Sequence, residues 1–219
     1  MDYKTIKEDG IVEEIIKKSR FICHLKRITS EEEGRNYIAA IKKEHYKANH
    51  SCSAMIIGER GEIKRSSDDG EPSGTAGVPM LTVLEKQELT NVVAVVTRYF
   101  GGIKLGAGGL IRAYAGSVAH ATKEIGLVHV KEQAGLELTL TYPQYQVFAN
   151  FLEQENLTEQ NTQFLEQVTT ELYVDPEVLD VIQERLIDFY QGKITMTKID
   201  PQIIEVPLEL SDKEDLSRW

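Results

Sequence analysis

Cysteine, proline and tryptophan are scarce in this sequence: two, six and one among 219 residues. Two thiols, Cys23 and Cys52, cannot make the disulfide framework on which small exported domains rely. Proline and glycine together are too few for a collagen-like chain or a flexible linker. No apolar run approaches the roughly 20 residues of a membrane-spanning helix. Met1 through Arg20 has no apolar stretch leading to a small-residue cleavage site. Without a mark for export or for a membrane, the expected compartment is the cytoplasm, with both cysteines reduced. What is present is 41% apolar and 27% charged residues, ordinary for a chain that buries a core. At about 100–200 residues per domain, this length makes one large or two small domains.

Charge separates the two halves. The net formal charge is −10, which taken whole argues against binding nucleic acid. Residues 1–130 hold 19 Lys plus Arg against 17 Asp plus Glu, a net of +2, and residues 131–219 hold 6 against 18, a net of −12. Between Leu89 and Lys123 there is no acid, while Arg98, Lys104, Arg112 and Lys123 are present. The one strongly basic stretch is therefore also glycine-rich, and it is the first place to look for an anion.

Periodicity supplies the elements. Ile11 to Ile16 and Phe21 to Ile28 read as a hairpin. Ser30 with Glu33 is a capping-box signature, opening a helix from about Ser30 to Lys47. Cys52 to Ile57 and Val92 to Val96 are short branched runs typical of buried strands, and Gly109 to Gly126 carries one apolar helical face. After Gln133 the texture changes. Leu136, Leu138, Leu140 and Tyr142 alternate as a strand, and Pro143 opens a helix. A weaker strand lies between Leu157 and Phe164, and Val168 to Val174 alternates again. Asp175-Pro176 starts a second helix ending at Gly192, and Ile194, Met196 and Ile199 close with a strand. The order β-α-β-β-α-β is that of a ferredoxin-like domain. The fold class is α+β with two domains, residues 1–132 and residues 133–219 with a polar tail, the boundary lying near Val130 to Gly135.

Two loops stand out. Asp68-Asp69-Gly70-Glu71-Pro72-Ser73-Gly74-Thr75-Ala76-Gly77 places three carboxylates and three glycines in ten residues. Such a loop is either a polar site, with carboxylates holding a hydroxyl, base edge or cation, or a turn whose Asp side chains cap backbone amides. The second runs from Val96 to Tyr114, with Arg98, Tyr99, Phe100, Gly101, Gly102, Lys104, Gly106, Gly108, Gly109 and Arg112. A strand leading through glycines into a helix aims amides and the positive end of a helix dipole at an anion. The alternative is glycine used for tight packing beside solvated cations. The segment is not a P-loop and fails the dinucleotide fingerprint, so no cofactor is expected. Tyr99 and Phe100 would stack on bases where exposed, although aromatics at a strand end more often belong to the core. His45, His50 and Cys52 lack the further ligand and spacing of a zinc site, so no metal is expected. A Cys52 nucleophile served by His50 is conceivable, but no catalytic signature is complete and no catalytic residue is assigned.

These residues resemble the YigZ/IMPACT family. The likeness rests on His50-x-Cys52-x-Ala54, on Asp68-Asp69-Gly70-Glu71-Pro72-x-Gly74-Thr75-Ala76-Gly77, and on Arg98-Tyr99-Phe100-Gly101-Gly102-x-Lys104-Leu105-Gly106-x-Gly108-Gly109-Leu110-x-Arg112-Ala113-Tyr114. It implies an N-terminal domain with a fold found in a small-subunit ribosomal protein and in a translation factor. It also implies a ferredoxin-like C-terminal domain similar to one in elongation factor G. Eukaryotic relatives act in translational regulation through a companion domain of which this chain shows no sign. The resemblance points to a cytosolic translation-associated regulator, and the residues add RNA or ribosome contact through the basic glycine-rich loop, with His50, Asp68, Asp69, Glu71 and Thr75 as a polar loop opposite it. Other classes are an enzyme or binding protein for a nucleotide or phosphorylated metabolite, and an adaptor that docks protein through its acidic C-terminal domain. An enzyme is the less expected, since the paired-metal carboxylate and histidine set of a dipeptidase is absent from the pattern.

Overall fold

The computed structural model describes residues 1–208. They form two compact units, Met1–Val130 joined by residues 205–208, and Lys131–Ile204.

The first unit is built on an antiparallel sheet of β2 (Gly10–Ile16), β3 (Ser19–Arg27), β4 (His50–Ile57), β5 (Ile63–Ser67) and β6 (Val92–Tyr99), in spatial order β2-β3-β6-β4-β5. Val92 to Val96 is buried throughout because both sheet faces are covered. Val92, Ala94 and Val96 join Phe21, Cys23 and Cys52 in a core with α2 (Gly77–Lys86) and α3 (Ala107–Ile125), whereas Val93 and Val95 meet Ile41 of α1 (Glu31–Glu44). The alternation along β6 thus assigns the helices to opposite faces. Ser30 caps α1 by accepting from the Glu33 amide, and the Glu33 carboxylate reaches back to the Thr29 N–H. Gly126, at φ +84°, ends α3 by donating to the Thr122 carbonyl. Strand β1 (Asp2–Ile6) pairs with β7 (Leu127–Leu140).

The second unit contains the rest of β7, then α4 (Tyr142–Glu155), β8 (Glu159–Phe164), β9 (Val168–Val174), a 3-10 turn at Pro176–Val178, α5 (Leu179–Phe189) and, as far as Ile204, β10 (Thr195–Leu208). The spatial order β10-β7-β9-β8 is, in sequence order, 4-1-3-2, the ferredoxin-like arrangement the pattern predicts. Leu136, Leu138, Leu140, Val168 and Leu172 pack on Phe148, Phe151, Ile182 and Leu186 from the two helices. Thr141 and Gln144 form a reciprocal capping box that starts α4 with proline in its first turn.

Three features differ from the sequence reading. The strand read from Leu136 begins already at Leu127, because Leu127 to Leu140 is one uninterrupted strand, and the division after Val130 falls within it. The tail expected with the second domain returns to the first: Glu205 takes a bidentate pair from Arg27 at 2.8 and 3.1 Å, and Leu208 packs against the first core. Residues 209–219 of that tail lie outside the described residues. Strands β1 and β5 are additional to the predicted elements, since each is five residues long and β5 is exposed along Lys64–Ser67 with no apolar alternation to betray it.

Candidate functional site

The two loops meet at one end of the first sheet, where β6 delivers Arg98, Tyr99 and Phe100. Register places Arg98 opposite His50 and Phe21, and Tyr99 opposite Arg20. At the meeting point Arg98 donates to Glu71 at 2.7 Å, and Tyr114 of α3 donates to the same carboxylate oxygen at 2.8 Å. The Arg98 and Glu71 side chains are only 7% and 3% exposed. A charge removed from water this far needs its counter-charge beside it, and each supplies the other. The Arg98 guanidinium also lies between the rings of Phe21 and Phe100, 5.6 and 5.5 Å from their centroids. His50 stands 3.8 Å from the other Glu71 oxygen.

The remaining carboxylates of the polar loop are bound internally. Asp68 accepts from the amides of Gly74, Ala76 and Gly77 at 2.8, 3.1 and 2.8 Å. Partial burial disfavours its ionised form, but the three amides outweigh this and hold the carboxyl below the usual range. Asp69 accepts from the Ser51 amide at 2.6 Å and from Lys42 at 2.5 Å, and its carbonyl meets His50 Nδ1 at 2.9 Å. Thr75 donates its hydroxyl to the Pro72 carbonyl at 2.6 Å. Every side chain of this loop singled out in the sequence has a partner within the fold.

The basic loop is pinned at its base and open above. The Phe100 amide donates to Asn49 at 2.8 Å, and the Gly101 amide to Ser19 at 3.3 Å. A Cβ at Gly101 would lie 1.8 Å from the Lys18 carbonyl, so only glycine fits against the β2–β3 turn. Gly102 and Gly106, at φ +84° and +72°, have no atom within 4 Å of where a Cβ would stand. Gly106 is the N-cap of α3 and offers no side-chain cap, and the first turn holds no acid. Gly108 and Gly109 follow in that first turn. Lys104 and Arg112 are exposed, and neither has an ion-pair partner among the described residues. The Arg112 guanidinium reaches back to within 3.7 Å of the Cβ position of Gly108. Tyr99 points elsewhere: its hydroxyl bonds His45 at 2.9 Å and its ring lies beside Arg20. Phe100 keeps 45% of its surface open.

Arg98, which the sequence places among the anion-binding cations, is therefore an internal ion-pair partner, and sequence periodicity has no means of showing it. Cys52 is corrected too. It is fully buried, its thiol donates to the Asp68 carbonyl at 3.0 Å, and burial pushes its pKa up to about 12. A nucleophilic cysteine needs the opposite environment. No group of three or more His, Cys, Asp or Glu among the described residues converges as a metal site.

Residues 17–122 match the Impact N-terminal domain, and residues 138–193 match a domain of unknown function (DUF1949). An IMPACT family member, YvyE of Bacillus subtilis, is 46% identical over 191 residues, 87% of this chain and 88% of its own. The chain belongs to the IMPACT family. An IMPACT family member of Haemophilus influenzae is 34% identical across 91% of this chain and 98% of its length. A crystal structure described only as a hypothetical protein shares the fold over 91% of this chain and 98% of that one, at 30% identity and a TM-score of 0.55. Both loops, with the buried Arg98–Glu71 pair and the open glycine turn, lie inside the first match. Among the described residues no helix is long and apolar enough to cross a membrane.

Proposed function

We propose that this protein is a translation-associated regulator that contacts RNA or the ribosome through the glycine loop between β6 and α3. The observation that carries the reading is the state of Lys104 and Arg112. Both are exposed beside the uncapped N-terminus of α3, and neither has an ionic partner among the described residues. Cations are unfavourable near the positive end of a helix dipole, so the fold gains nothing by placing them there. A phosphate in solution removes that conflict, meeting the lysine, the guanidinium and the free amides together. Gly102 and Gly106 leave the space for it. The translational setting comes from resemblance to the family, and the contact comes from the loop. The second unit takes no part in holding phosphate: residues 131–204 carry 4 Lys plus Arg against 13 Asp plus Glu, a net of −9.

The test is co-sedimentation with ribosomal subunits, together with binding to bulk RNA, over a series of salt concentrations. Replacing Lys104 and Arg112 by Ala should weaken binding and flatten its salt dependence, the slope falling by about one for each phosphate no longer neutralised. Unchanged affinity and slope would remove the loop from the interface.

A further inference from the structure

The loop is one part of a larger surface whose composition specifies the form of nucleic acid, an inference that rests on the reading just given. Three segments come together at this end of the first unit. The turn between β2 and β3 presents Lys17 and Lys18, both exposed, and the Lys18 carbonyl packs against Gly101. The segment between α1 and β4 presents Tyr46, 74% exposed, with the Lys47 ammonium over its ring at 5.5 Å. That segment is tied to the glycine loop twice, since Asn49 accepts from the Phe100 amide at 2.8 Å and donates its own amide to the Arg98 carbonyl at 3.0 Å. The glycine loop itself presents Phe100 and Lys104, and the start of α3 adds Arg112. Lys17, Lys18, Lys104 and Arg112 have no ion-pair partner among the described residues, whereas the nearby acids Glu13 and Asp69 are already paired with Arg20 and Lys42.

Cations alone would hold any phosphate backbone. Two exposed aromatic rings among them are a different matter, because in a duplex the base faces are stacked on one another and offer nothing to a ring. Phe100 is held in place with one side over the Arg98 guanidinium at 5.5 Å while nearly half its surface stays open. Support on one side restricts the ring before any base arrives, which lowers the entropic cost of stacking. The buried Arg98–Glu71 pair thereby acquires a purpose beyond the core: it fixes the platform on which Phe100 rests.

We infer that this end of the first unit binds single-stranded RNA, with bases stacking on Phe100 and Tyr46 and phosphates held by Lys17, Lys18, Lys104 and Arg112. A groove of cations interleaved with aromatics is the general means of holding unpaired nucleotides without sequence readout.

The experiment is fluorescence anisotropy of the full chain with a labelled oligouridylate of about 12 nucleotides and with an RNA duplex of the same length. The single strand should bind tighter. Phe100→Ala and Tyr46→Ala should each weaken single-strand binding by about tenfold and leave duplex binding within about twofold, and Phe100→Trp should retain wild-type affinity. Tyr46, being largely in solvent, serves as the control for any effect of Phe100→Ala on folding. Equal affinity for both RNAs, with neither aromatic variant moving them while Lys104→Ala and Arg112→Ala still do, would overturn the single-strand inference and leave the phosphate-contact reading standing. Failure of the wild-type chain to bind either RNA at low salt would overturn both, and would turn attention to a protein as the partner of this surface.

Discussion

Two loops in one unit use their charges in opposite ways. In the Asp68–Gly77 loop the carboxylates are consumed by the fold: Asp68 by three amides, Asp69 by Ser51 and Lys42, Glu71 by Arg98 and Tyr114. In the glycine loop Lys104, and in the start of α3 that follows it Arg112, are left to solvent. Side-chain length and local backbone account for the difference. An aspartate beside glycines is short enough to meet the amides of its own turn, and its charge favours them. A lysine or arginine at a helix N-terminus finds donors where it needs acceptors, and remains available. The acidic loop is thus architecture for the basic one, and the count of charges in each says little until their partners are known.

The largest effect is expected at Arg98, where the two loops join. Arg98→Met keeps much of the volume between Phe21 and Phe100 but leaves the Glu71 carboxylate buried without its counter-charge. The expected loss of stability is about 3–5 kcal/mol by urea unfolding. Glu71→Gln combined with Arg98→Met should recover most of it, since no ion is then stranded. A loss below about 1 kcal/mol for the single variant would mean that the pair does not organise the two loops.

A smaller effect belongs to Asp68. Asp68→Ala deprives Gly74, Ala76 and Gly77 of their acceptor and should cost about 1–3 kcal/mol. Its pH dependence has a definite sign. Burial opposes ionisation, the three amides overcome it, and the carboxyl titrates below its ordinary value of about 3.9. The unfolded chain therefore binds the proton first. The contribution is complete above that ordinary value and is lost as the pH falls through the depressed one. Asp68→Asn should make the acid limb of the stability profile shallower, and an unaltered limb would show that the carboxylate is not the amides' anchor.

Much of this is legible in the sequence because it is local. The alternation of β9, the proline and capping box of α4, and the apolar face of α3 each depend on neighbours within a few residues. The ferredoxin-like order follows from those pieces. Partners distant along the chain are not legible: Arg98 meets Glu71 across 27 positions and Arg27 meets Glu205 across 178. Neither pair leaves a periodic trace. Lys17, Lys18 and Tyr46 escape sequence reasoning for the same reason, since only the packing of Gly101 on Lys18 and the Asn49 bridge bring their segments to the glycine loop. The strongest usable signal is the acid-free interval from Leu89 to Lys123, which takes in the exposed Lys104 and Arg112 but counts the buried, ion-paired Arg98 with them.

The smallest effect is expected on the basic loop. Residues that serve the fold destabilise when truncated, and solvent-exposed ones away from such roles usually change stability by no more than about 0.5 kcal/mol. For Lys104 and Arg112 the sign should also be reversed. Removing two cations from the positive end of α3, where the first turn has no acid to balance them, relieves repulsion with the helix dipole. The double variant Lys104→Ala with Arg112→Ala should be as stable as the wild type or slightly more so at low ionic strength. The gain should fade as added salt screens the dipole. Urea unfolding at several salt concentrations measures this directly. A loss above about 1 kcal/mol would place both side chains among the supports of the fold, alongside Asp68 and Glu71. Lys104 and Arg112 would then no longer be charges held in reserve for a phosphate.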